Sequence, residues 1–85
     1  MALFIIERNF AEQLQLTTEA ARLVSEINGE LGVHWLFSFL SADKKKTYCL
    51  YEAADPAAIR EAARRAQIPA DVIVEVTELR PEAFV

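Results

Sequence analysis

The sequence predicts an α+β fold in which four antiparallel strands carry two helices on one face. Three observations predict it. Apolar residues recur at helical spacing in two stretches, 18–30 and 56–67, each behind a residue that can cap a helix. Four short runs rich in β-branched and aromatic residues flank and separate them. The resulting order is β-α-β-β-α-β, the ferredoxin-like unit. With 85 residues there is room for one domain, 1–85.

Ala2-Leu3-Phe4-Ile5-Ile6-Glu7-Arg8 is apolar and β-prone and reads as the first strand. Asn9 to Leu16 is a connector. Thr17 or Thr18 can cap the first helix, with Glu19 in its first turn. Ala20, Leu23, Val24, Ile27 and Leu31 form its apolar stripe, and Gly32 is the natural stop.

Val33 to Leu40 is the second strand. Strict alternation puts Val33, Trp35, Phe37 and Phe39 on one face, and His34, Leu36, Ser38 and Leu40 on the other. Ser41 to Lys46 reads as a hairpin turn, and Thr47 to Glu52 as the return strand. Asp55-Pro56 is the sharpest local signal: Asp caps, and Pro fits the first helical position, where its missing N–H costs nothing. Ile59, Ala62, Ala63 and Ala66 make the buried stripe of the second helix, which Pro69 ends. Asp71 to Leu79 is the fourth strand.

Composition excludes several classes of function. Net charge is −4, which argues against nucleic acid or an anionic membrane as the main partner. One Cys and one His make neither an internal disulfide nor a usual zinc site. The two glycines, Gly29 and Gly32, form no phosphate loop. No signal peptide or membrane span is visible, so a cytoplasmic setting with a reduced Cys49 is expected. A domain this small is near the lower limit for a self-sufficient core. Its strands are also apolar on both faces, so we expect a homodimer through the sheet, with Leu36 and Leu40 at the interface.

The residues that could carry chemistry are few. His34 and Cys49 fall on neighbouring strands and could approach one another; they are weak metal candidates, and Cys49 reads first as a small buried hydrophobe. Trp35, Phe37, Tyr48 and Tyr51 could line an apolar small-molecule pocket between sheet and helices, or fill the core.

Three runs carry a resemblance: Val33-His34-Trp35-Leu36-Phe37-Ser38-Phe39, Thr47-Tyr48-Cys49-Leu50-Tyr51-Glu52-Ala53, and Ala58 to Ala70 with its Ile59-Arg60-Glu61 and Pro69-Ala70. With Phe4-Ile5-Ile6-Glu7-Arg8 they resemble a family of small bacterial nickel-binding proteins, long known as a domain of unknown function. The resemblance implies a dimeric ferredoxin-like fold of the α+β barrel type, and nickel as a possible ligand. In that family a His commonly stands two residues after the Trp, and another follows the Ile-Arg-Glu. This chain has Phe37 and Ala62 there, which carry no donor atom, so weak or absent nickel binding is expected. Phe37 and Ala62 are expected to face one space between sheet and helices. The leading function is therefore a small dimeric ligand-binding protein without a resident cofactor. The alternative is a dimeric α+β barrel enzyme, monooxygenase- or cyclase-like, with an apolar pocket.

Overall fold

Strand alternation sets the inner layer of the fold. The computed structural model describes residues 1–84. In β1 (Ala2–Asn9), Phe4, Ile6 and Arg8 are buried, while Leu3, Ile5 and Glu7 between them are half-buried. In β3 (Lys46–Ala53), Thr47, Cys49, Tyr51 and Ala53 are buried in the same way. The antiparallel register sets Phe4 against Tyr51 and Ile6 against Cys49, so these residues share one face. β2 (His34–Leu40) and β4 (Val72–Val76) complete a four-stranded antiparallel sheet in the order β2-β3-β1-β4. This is the ferredoxin-like arrangement expected from the sequence.

Helix α1 (Thr18–Glu30) starts where the Thr17 hydroxyl accepts the Ala20 N–H at 3.1 Å. It stops before Gly32, whose φ of 69° lies in the left-handed region. Leu23 is 53% exposed and leaves the expected stripe, whereas Asn28 is buried. The inner face of α1 is thus rotated toward Ala20, Val24, Ile27 and Asn28. Helix α2 (Pro56–Ala66) starts where Asp55 Oδ1 accepts the Ala58 N–H at 3.0 Å. Its Ile59, Ala62 and Ala63 are buried. The core joins Phe4, Ile6, Val33, Cys49, Tyr51, Ala53 and Ile59. Burying each of its larger members contributes about 1.5–3 kcal/mol.

Two expectations are corrected. The fourth strand ends at Val76 and not at Leu79, because Val76 already pairs with Leu3, next to the first residue of β1. Strict alternation also fails in β2. Trp35 pairs with Tyr51 and Phe37 with Leu50, so two steps along β2 match one along β3. Leu36 is the extra residue of a β-bulge, which shifts the phase of all that follows. Trp35, Ser38 and Leu40 therefore face the helices. His34, Phe37 and Phe39 lie on the other face, with Tyr48 and Leu50. Leu3, Ile5, Val72, Val74 and Val76 continue that face across β1 and β4.

Candidate functional site

The bulge opens a cavity on the helix side of the sheet. After it, Ser38 and Leu40 face inward, and the β1–α1 connector contributes to the cavity they line. Phe10 N–H donates to the Lys45 carbonyl at 2.8 Å, and Leu14 N–H to the Lys44 carbonyl at 2.7 Å. These bonds tie the connector to the β2–β3 turn and bring Phe10, Leu14 and Leu16 into the wall. Val24 of α1, Ile68 after α2, and Trp35, Leu40 and Cys49 of the sheet add to it. The cavity is about 300 Å³ and stands open to solvent on one side. That lies at the small end of the roughly 300–1,000 Å³ of ligand pockets, and like them it is mainly apolar.

Its polar groups are few and mostly engaged. Trp35 Nε1 donates to Ser38 Oγ at 2.8 Å. Cys49 Sγ donates to Thr47 Oγ1 at 3.6 Å. Arg8 enters because strand alternation makes it the inward residue after Phe4 and Ile6. It is 3% exposed. Its guanidinium donates to the Pro69 carbonyl at 2.6 Å and to Tyr51 Oη at 3.2 Å, and lies 5.6 Å from the Tyr51 ring centroid.

The expected site residues divide between two places. Trp35 and Tyr51 line the cavity. Phe37 does not: the bulge turns it to the open face, 52% exposed and edge-on to Phe39 at 5.6 Å. Tyr48 lies on that face too, 38% exposed. Ala62 is buried on α2 and forms no part of the cavity wall. Phe37 and Ala62 thus share no space, since the sheet separates them. His34 and Cys49 are not brought together: His34 faces outward opposite Glu52, Cys49 inward opposite Ser38. Leu40, expected at an interface, lines the cavity, and Leu36 is the bulge residue.

Arg8 and the connector escaped the sequence reading. Arg8 looked like the polar end of a strand, although its parity with Phe4 and Ile6 pointed inward. Phe10, Leu14 and Leu16 were a sign of burial in an otherwise polar loop.

The family model for nickel responsive proteins of the SCO4226-like type matches residues 4–76. The chain belongs to the SCO4226-like family. The match spans the sheet and both helices, including the strand Tyr48-Cys49-Leu50-Tyr51 on which the resemblance rested. The crystal structure of SCO4226 from Streptomyces coelicolor A3(2) has the same fold, with a TM-score of 0.77 at 22% identity over 93% of this chain and 100% of that one. No curated protein matches the chain significantly. Among the described residues of this family member, no three or more His, Cys, Asp or Glu side chains gather where they could hold a metal ion. Its single His and single Cys lie on opposite faces of the sheet, so within one chain they do not fit a nickel centre. No helix is long and apolar enough to cross a membrane.

Proposed function

We propose that the chain is a small ligand-binding protein that acts as a homodimer and does not hold nickel through the family's histidine positions. The cavity of about 300 Å³ beneath the β2 bulge carries this reading. It offers an apolar organic molecule a dry wall and leaves a metal ion few donors. The homodimer reading draws on the open face, where Phe39 is 65% exposed, Phe37 52% and Val74 47%. Solvent-exposed apolar patches of this kind mark interfaces. A cytoplasmic setting fits the free thiol of Cys49.

Titration with neutral indole, followed by NMR, tests the cavity. Shifts at Leu14, Val24, Trp35 and Tyr51 are expected. Shifts confined to Phe37 and Phe39, or none at all, would overturn the reading. Calorimetric titration of tag-free protein with Ni²⁺ tests the second clause. Stoichiometric binding at micromolar affinity, about −8 kcal/mol, would contradict it.

A second reading, the dimeric α+β barrel enzyme, draws on Tyr51, whose hydroxyl stands beside Arg8 at the cavity. A catalytic use of Tyr51 requires that Tyr51→Phe lose turnover while keeping ligand affinity.

A further inference from the structure

Among the described residues, Arg8 is a buried cation without a counter-charge. Its observed acceptors, the Pro69 carbonyl and Tyr51 Oη, are neutral, and no carboxylate lies within ion-pair distance among the described residues. Two acids near it in the sheet have other partners. Glu7 points to the other face of the sheet and pairs with Lys46 at 3.1 Å. Asp71 Oδ2 accepts the Asn9 N–H at 2.7 Å. Arginine keeps its proton in proteins, so this charge cannot be shed on burial as a lysine's can. Buried charges are ordinarily paired, because an unpaired one forfeits its hydration for nothing. Here the remaining guanidinium N–H groups meet no protein acceptor among the described residues, and the residue borders an open cavity.

The surroundings define what could supply the missing charge. A planar guanidinium fork matches a carboxylate in two parallel hydrogen bonds. Arg8 is the only cationic residue among those that line the cavity, so a monoanion balances it and a dianionic phosphate leaves excess charge. Beyond Arg8 the walls are Leu14, Val24, Trp35, Leu40 and Ile68, which favour an apolar body. A cavity of about 300 Å³ suits a small molecule.

We propose that the cavity binds a small monocarboxylate with an apolar alkyl or aryl body, its carboxylate paired with Arg8 beside Tyr51 Oη. This rests on the ligand-binding reading above and assigns that ligand its chemical class. Arg8 then fixes the orientation of the ligand, and the apolar wall sets its size.

The test uses the wild-type chain, with Trp35, its single tryptophan, as the fluorescent reporter. Hexanoate, benzoate and phenylpropionate are titrated beside their matching neutral alcohols. At least one acid should bind about tenfold or more tightly than its alcohol, the expected gain from a charge-assisted pair. Arg8→Gln, checked for folding by circular dichroism, should abolish that preference and leave alcohol binding. Val24→Phe, which narrows the cavity, keeps the charge and leaves Trp35 the single tryptophan, should weaken acid and alcohol alike. If acids and alcohols bind the wild type equally, the carboxylate assignment is wrong and the ligand-binding reading stands. If nothing binds at millimolar concentration, both are wrong.

Discussion

The two faces of the sheet are built from similar residues and meet different fates. On the helix side, Phe4 and Ile6 are 1% and 0% exposed. On the other side Leu3, Ile5 and Leu50 are half-buried, and Phe37, Phe39, Val72 and Val74 stand in solvent. Side-chain chemistry alone does not explain this contrast. What differs is the cover: α1 and α2 lie across one face, whereas among the described residues only the short segment after β4, with Thr77, Glu78 and Arg80, borders the other. The fold therefore buries one apolar layer and leaves much of the second exposed. The helix side is also not sealed throughout. Where the bulge turns Ser38 and Leu40 inward, cover gives way to a cavity, and the one buried charge of that face stands at its edge.

Substitutions of matched size on the two faces should separate these roles most widely. Phe4→Ala should cost about 3–5 kcal/mol in denaturant unfolding, through lost burial and a residual void. Phe39→Ala should cost far less within one chain, and its effect should depend on protein concentration, since a dimer contact stabilises by mass action. Equal losses, independent of concentration, would remove the distinction between the faces.

The caps sharpen the comparison at an intermediate scale. Asp55→Ala and Thr17→Ala each remove an acceptor for a first-turn N–H and should each cost about 1 kcal/mol. Both helices cover the same face, so the losses should be concentration-independent and should leave the oligomeric mass unchanged. A cap variant that dissociates the protein would tie the open face to helix cover.

Surface charge should matter least. Arg64, then Arg65, hold the Glu61 carboxyl down to about 2 through side-chain hydrogen bonds. A depressed carboxylate pKa adds stability that is present above the unfolded value near 4.5 and lost as pH falls through about 2. Glu61→Gln should flatten that acid limb slightly. The effect should fade with added salt, because the group is solvent-exposed and screened. An acid limb that is unchanged in the variant would place the acid sensitivity in other carboxylates.

How much of this was legible depended on phase. Thr17 and Asp55-Pro56 marked both helix starts, and the apolar runs marked the strands, so the topology could be read directly. The facing of β2 could not. Trp35-Leu36-Phe37-Ser38-Phe39-Leu40 is apolar on both parities, so its pattern carries no sign of a one-residue slip. Strict alternation puts Ser38, its one polar member, with Leu36 on the face away from the helices. Inside, it accepts the Trp35 indole N–H instead. Arg8 carries the inward parity of Phe4 and Ile6 despite its charge. The cavity depends on the bulge, Arg8 and the connector together, and so was legible only in part. Of the residues the sequence suggests for a pocket, Trp35 and Tyr51 line the cavity and Phe37, Tyr48 and Ala62 do not.

Sedimentation equilibrium at micromolar concentration tests the central claim, that the open face is completed by a second copy, most directly. The wild type should give twice the chain mass of 9.6 kDa. Val74→Asp, which puts a charge on that face midway along the edge strand β4, should give the single-chain mass or unfold. A wild type that sediments as a single chain would contradict the account.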